Sequence, residues 1–253
     1  MTPPREVAPG VFWLPACQEH TYQGSVLHSC NSVYLVSGTA CSLLVDAGHP
    51  RDLDEIDEGL SGLLRDAPEP RYVFTTHIQT GSASGAERWL RRWPMAELCG
   101  DVHDLHLVFP ELEDRLRPLA TGDRLDLGGT EFVAVEAVIR DRASSVWGYD
   151  TRRRVLFAGE GFAHSHWHEL EHCGKLAEET LALDLPDMTA VFAELTVPWT
   201  GLTDVEPYIR RLDELVLREL DVALIAPTHG LPISDPRGTL PRIREGLRLG
   251  GRA

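Results

Sequence analysis

Hydrophobic positions along the chain change period several times, and each change marks an element. Val11-Phe12-Trp13-Leu14 is a short apolar run closed by Pro15, which predicts an opening strand. Two β-rich runs, 31–36 and 41–46, are joined by Ser37-Gly38-Thr39-Ala40 and predict a hairpin. Over 52–64, leucines and an isoleucine recur at helical spacing among acids, predicting an amphipathic helix. A buried strand is expected over 72–76 and a helix over 86–93. The middle of the chain returns to strands, at 131–138, 143–149 and 154–158, with a turn at Asp150-Thr151-Arg152. Helices are expected at 167–183, 205–220 and 237–247, with a strand at 222–226 between the last two. Strand groups followed by helices, in two successive halves, predict an α/β fold with two sheets packed between helices. No internal repeat or low-complexity tract divides the chain, so 1–253 is read as one domain.

Composition narrows the classes. Hydrophobic residues make up 43% and charged residues 25% of the 253 positions, the balance of a globular protein with a full core. A net charge of −15 leaves no basic surface for phosphate, so a nucleic-acid partner is not expected. No apolar run approaches the ~20 residues of a membrane span, and the first residues lack the pattern of a signal peptide. A cytoplasmic protein is the expectation. The five cysteines, Cys17, Cys30, Cys41, Cys99 and Cys173, show no C-x-x-C spacing, so neither a disulfide framework nor a cysteine zinc site is expected.

Four segments carry a resemblance. In order they are Leu44-Val45-Asp46-Ala47-Gly48, Phe74-Thr75-Thr76-His77, Val155-Leu156-Phe157-Ala158-Gly159-Glu160 and Ile225-Ala226-Pro227-Thr228-His229-Gly230. Together they resemble the metallo-β-lactamase superfamily, which implies an αββα sandwich. The stretch 155–164 and the final helix running into Thr228-His229-Gly230 look most like the flavodiiron, oxygen-binding diiron branch of that superfamily. The branch implies a homodimer and a following flavodoxin domain. No flavin domain is expected in this chain, and on that expectation a redox role would need electrons from a separate partner.

The resemblance also implies a metal motif, T-H-x-[HE]-x-D-H, completed by a mid-chain His, a bridging Asp and a last His. Here the motif reads Thr76-His77-Ile78-Gln79-Thr80-Gly81-Ser82, so Gln79, Gly81 and Ser82 stand where the second ligand, the aspartate and the following His belong. The mid-chain His falls near Arg140 or Asp141, and Glu160 replaces the bridging aspartate. A guanidinium has no lone pair for a metal, whereas Asp141 has. His77, Glu160 and His229 remain, a two-His, one-carboxylate set suited to one Fe or Zn ion. The site is thus degenerate: a dinuclear centre is not expected, and a metal-free pocket ranks slightly ahead of a single ion. In the metal-free case Glu160 and Arg140 form an ion pair where a cation sat, His77 or His229 acts as acid or base, and Arg140 holds an anion.

Residues 163–173 are the densest ligand-type stretch and contain His168-Glu169-Leu170-Glu171-His172, a formal H-E-x-x-H. The charged Glu171 and the absence of a third ligand leave a zinc peptidase as the weak alternative. His164 or His166 could fold back over the pocket as an added ligand or proton-transfer group, with His28 and Cys30 near the same mouth. The expected function is a divergent enzyme acting on a small molecule by hydrolytic or oxygen-dependent chemistry. The alternative is a ligand- or O2-binding protein that reuses the pocket without turnover.

Overall fold

The computed structural model describes residues 2–167, 174–180 and 183–250. Its first sheet has the strand order β1-β2-β5-β6-β7-β8-β9. These are Arg5–Ala8, Val11–Leu14, Val33–Ser37, Ser42–Val45, Pro70–Thr75, Glu97–Gly100 and Leu116–Pro118. Between β2 and β5 a separate hairpin stands apart, β3 (Cys17–Tyr22) on β4 (Ser25–Cys30). The second sheet orders β10 (Arg124–Asp126), β11 (Glu131–Glu136), β12 (Val146–Asp150), β13 (Val155–Phe157) and β14 (Leu224–Ala226) side by side. In each sheet the antiparallel pairs give way to parallel ones: β6 to β9 run parallel, and so do β13 and β14.

Period-2 alternation decides which side chain faces which layer. Along β5, Tyr34 and Val36 enter the core between the sheets, while Val33 and Leu35 pack outward. Leu43 and Val45 of β6, and Phe74 of β7, join the inner core, while Leu44 and Val73 face out. Strands buried on both faces read as continuous apolar runs rather than alternating ones, which is how parallel strands covered by helices appear. Phe132, Trp147 and Phe157 meet Phe74 and Tyr34 from the opposite sheet, with Phe74 and Phe132 edge to face at 4.9 Å.

Helices close both outer faces. On the first sheet α1 (Leu53–Leu63) buries Ile56 and Leu60. After the short α2 (Thr80–Ala83), α3 (Ala86–Arg92) buries Trp89 and Leu90 against the same face. A further single turn, α4 (Leu105–Val108), follows β8. On the second sheet α5 (Leu185–Thr196), α6 (Glu206–Glu214) and α7 (Pro236–Gly250) supply Ala193, Ile209, Leu212, Leu240 and Ile243 to the core. The αββα sandwich is as expected. The helix expected over 167–183 is not: its described part holds only a 3-10 turn, Ala177–Glu179, and the helix proper begins at Leu185 with Pro186 in its first turn. Proline fits a first turn because its missing N–H has no partner there.

Glu178 holds the approach to α7. Its carboxylate accepts from the Ser234 and Asp235 amides (3.1 and 3.0 Å) and from the Ser234 and Thr239 hydroxyls (3.0 and 3.1 Å). Partial burial opposes the charge, but those donors outweigh it and lower the pKa. A carboxylate with a lowered folded pKa stabilises above its ordinary value of 4.5 and loses that contribution as pH falls through it. Glu178→Gln should therefore cost about 1 kcal/mol at neutral pH, a capping-scale effect at a partly exposed site. The difference from the parent, full at pH 7, should shrink at a pH below that ordinary value, as the folded carboxyl takes up its proton. Urea unfolding at both pH values measures it, and an equal difference at both would rule the charge out.

Candidate metal site

His77, Glu160 and His229 come together at the carboxyl ends of β7, β13 and β14. Their ligand atoms lie within 4.8 Å of one another. All three side chains are buried, with 1%, 4% and 7% of their surfaces exposed. β13 and β14 pair in parallel, Phe157 opposite Ala226, which sets the turns bearing Glu160 and His229 side by side. Gly159 makes its turn with φ of +49°, and a Cβ there would approach Thr76 Oγ1 to 3.2 Å. Only glycine meets both conditions without strain.

Each imidazole is oriented by its outer nitrogen. His229 Nδ1 donates to the Cys30 carbonyl (2.9 Å), which leaves the lone pair on Nε2. Thr76 Oγ1 donates to Asp46 and accepts from His77 Nδ1 (2.8 Å), so His77 Nε2 also faces inward with its lone pair. This is the arrangement by which metal-binding histidines are held. Nε2 of His77 and of His229 reach Glu160 Oε1 at 3.1 and 3.4 Å. Yet both Glu160 oxygens and His229 Nε2 lack an aligned hydrogen-bond partner. Buried polar atoms are rarely left so, and lone pairs converging on one point fit a shared cation. A proton is the other way to neutralise the acid. Burial disfavours charge on His77, but Glu160, with Asp46 and Asp141 behind it, raises its pKa to about 9. Burial likewise acts against the Glu160 charge, and the two imidazoles overcome it, holding the carboxyl well below its usual range.

Asp46, in the segment that follows β6, underpins the site, although the sequence motif marked only its strand. It sits in the left-handed region (φ 59°), fully enclosed, and accepts from Thr76 N (2.9 Å), Thr76 Oγ1 (3.0 Å) and Thr228 Oγ1 (2.5 Å). Thr76 and Thr228 precede His77 and His229, so one carboxylate ties both histidine segments together. Asp46→Asn should destabilise the fold by about 2 kcal/mol, because an amide cannot accept at all three positions. Chemical denaturation measures it, and a loss under about 0.5 kcal/mol would show the tie to be dispensable.

The remaining expected residues are placed elsewhere. Arg140 is exposed, and its carbonyl accepts from the Trp199 ring N–H (2.7 Å). The expected Glu160–Arg140 ion pair is corrected: Glu160 is neutralised by histidines, and Arg140 lines a surface depression of about 440 Å³ with Asp141, Trp199 and Tyr208. Asp141 accepts from Gln79 Nε2 (3.1 Å) and Ser145 Oγ (3.0 Å), so it acts on His77 through charge while Gln79 braces it. His164 is also corrected as an added ligand. Its Nδ1 donates to Phe162 O (3.0 Å), its Nε2 accepts from Leu231 N–H (3.1 Å), and burial lowers its pKa to about 4. His166 turns toward Cys17, at the hairpin. The H-E-x-x-H segment, His168 to His172, lies outside the described residues.

A sequence profile of the metallo-β-lactamase superfamily matches residues 27–229. The chain belongs to the metallo-β-lactamase superfamily. Among curated proteins similar to it, the coenzyme F420H2 oxidase of Methanothermobacter thermautotrophicus is 27% identical over 245 residues, covering 91% of this chain and 58% of that protein. The corresponding oxidase of Methanocaldococcus jannaschii is 22% identical, over 91% of this chain and 57% of its own length. The chain thus spans under three fifths of these curated relatives. The flavodiiron protein of Giardia intestinalis superposes with a TM-score of 0.77 at 17% identity, over 99% of this chain and 60% of that one. A metallo-β-lactamase of Pontibacter korlensis gives 0.59 at 17% identity, over 97% and 98%. The expected likeness to the flavodiiron branch of the superfamily is borne out.

Superfamily members of the flavodiiron kind imply a pair of irons, and the residues here do not fit two ions. Gly81 carries no ligand, and a Cβ there would stand 2.6 Å from Asn31 Oδ1, so buried Asn31 would have to shift to admit one. Ser82 is fully enclosed against the His77 ring, at 3.2 Å from Nε2. One ion fits. His77, Glu160 and His229 would hold it, and Fe(II) or Zn suits that donor set.

Proposed function

We propose that this superfamily member holds a single iron or zinc ion on His77, Glu160 and His229 and acts on a small molecule by oxygen-dependent chemistry. The observation that carries the reading is the space beside Glu160. It is a cavity of about 10 Å³ lined by Glu160, by Ile139, Phe192 and Leu247, and by the two threonines Thr189 and Thr196. Pockets for drug-sized substrates run to several hundred Å³, whereas this one admits about one water-sized molecule. Only a very small reactant is compatible with such a space, and a lactam or thioester is not. The oxidase names of the curated relatives support the same direction.

Bound there, iron would supply a Lewis-acid and oxygen-binding centre, whereas zinc, which has no redox chemistry, would supply the Lewis acid alone. The protein's part is orientation and exclusion. Thr76 and the Cys30 carbonyl hold the two imidazoles with their lone pairs inward. Phe192, its ring 5.4 Å from that of His229, closes the apolar wall against bulk water. Without an ion, His77 holds a proton beside Glu160 at neutral pH, and an ion on Nε2 would take the place of that proton.

The protein should be purified without chelator and its metals measured by elemental mass spectrometry, beside a His77→Ala, His229→Ala variant. About one fewer ion per chain in the variant is expected. Oxygen uptake by the iron-loaded parent in the presence of a reductant, absent from the variant, is the functional readout. Metal without uptake would favour the binding or sensing alternative, and equal metal in both proteins would overturn the site.

A further inference from the structure

A second set of ligand-type side chains lies behind the first, on the hairpin that stands outside both sheets. Cys17 and Cys30 face each other directly across β3 and β4, although 13 residues apart in sequence. The strand end carrying His166 is bridged to the same hairpin by two backbone hydrogen bonds, His28 N to His166 O and His166 N to His28 O, both 2.8 Å. Three segments distant in sequence are thereby fixed to one point. The ligand atoms of Cys17, Cys30 and His166 all lie within 4.8 Å of one another, and Cys17 Sγ stands 3.7 Å from His166 Nε2 and 3.6 Å from His28 Nδ1. Cys30, His28 and His166 are buried, and Cys17 is partly so.

We propose that Cys17, Cys30 and His166 form a metal site for one zinc-like ion, with His28 the nearest donor for the fourth position. Thiolate and imidazole together select zinc among the hard and borderline divalent ions. The spacing agrees. Zn–S near 2.3 Å and Zn–N near 2.0 Å at tetrahedral angles give sulfur–nitrogen edges of about 3.5 Å, beside the 3.6 and 3.7 Å found here. Binding would release the thiol protons of Cys17 and Cys30, as ligation by cysteine requires. The site's role is positional: Cys30 is the residue whose carbonyl orients His229, so an ion that pins Cys30 also fixes the tautomer of a ligand in the first site.

Cobalt(II) separates this site from the His77–Glu160–His229 centre, because only a thiolate gives sulfur-to-cobalt charge-transfer absorption. The full chain should be loaded anaerobically with Co(II) in three forms: parent, His77→Ala with His229→Ala, and Cys17→Ser with Cys30→Ser. The charge-transfer band should persist in the histidine variant with one cobalt per chain and vanish in the cysteine variant. His166→Ala should weaken zinc binding at this site by at least about 100-fold, as loss of a direct ligand exceeds the 10–100-fold cost of losing a supporting partner. If the cysteine variant does not fold, zinc-edge X-ray absorption of the zinc-loaded histidine variant decides: a shell with two sulfurs supports the site, and a shell of nitrogen and oxygen alone overturns it. Absence of the band in the reduced parent, or recovery of Cys17 and Cys30 only as a disulfide from protein kept reduced, would also overturn it.

Discussion

Glu160→Gln should lower the affinity of the first centre for Fe(II) or Zn by more than about 100-fold, since even supporting partners of metal ligands are worth 10–100-fold. Among the described residues the carboxylate is the only anion that touches both Nε2 atoms, at 3.1 and 3.4 Å, and its two oxygens have no aligned donor to occupy them. Glutamine keeps the shape and removes the charge, so the loss reads electrostatics and not packing. His77 should lose its raised pKa with it, because Glu160 is the main group that favours the protonated ring. Metal competition against a graded series of chelators measures the affinity, with the sulfur band of cobalt tracking the hairpin site in the same sample. An unchanged affinity would remove Glu160 from the ligand set.

The second large effect concerns the motif positions. Installing the superfamily's ligands by Gln79→His, Gly81→Asp and Ser82→His should destabilise the chain by about 3 kcal/mol or more, and no second ion should bind. Overpacking one well-filled site typically costs 1–3 kcal/mol, and two such sites are involved. A Cβ at 81 would overlap buried Asn31, 2.6 Å from its Oδ1, and Ser82 is enclosed against the His77 ring. Gln79 would also leave Asp141, which it now braces at 3.1 Å. Thermal or urea unfolding gives the stability, and elemental analysis gives the ion count. A stable triple variant holding two ions would show the pocket to be eroded only at its side chains, and the rebuilt surroundings to be incidental.

Much of the fold was legible because burial on both faces leaves a plain mark. Within the runs 31–36, 41–46 and 72–76, the stretches 33–36, 43–45 and 72–74 are apolar throughout, and β5, β6 and β7 are the strands packed between two layers. The hairpin of β3 and β4 left no such mark. Cys17-Gln18-Glu19-His20-Thr21-Tyr22 is only partly buried, so its polar side chains hide a strand. The helix at Leu185–Thr196 was displaced in the sequence reading because a continuous helical run was expected before it.

The site was legible where it depends on strand ends and obscure where it depends on register. His77, Glu160 and His229 each follow an apolar run, and parallel strands bring such ends to one edge. Arg140 was misplaced because charge complementarity in sequence says nothing of exposure. His164 fell near the site but spends both nitrogens on backbone. Cys17 and Cys30 were dismissed on spacing, since the usual zinc patterns keep ligands close along the chain. Here cross-strand register does what a short loop does elsewhere.

His77 departs from the first sheet, and Glu160 and His229 from the second. Between the sheets the core is apolar, which resists separation but has little directional preference; direction comes from a few polar ties such as Asp46 to Thr228 and Tyr34 to the Pro227 carbonyl. A group that binds across them works as a rivet through two plates. Slippage of one plate by a single residue would pull its share of the rivet out of line, so chemistry and alignment in this chain are inherited together. Substitutions deep in the sandwich, far from any ligand, can then silence the site by shifting one plate, while the loops outside the rivet remain open to change.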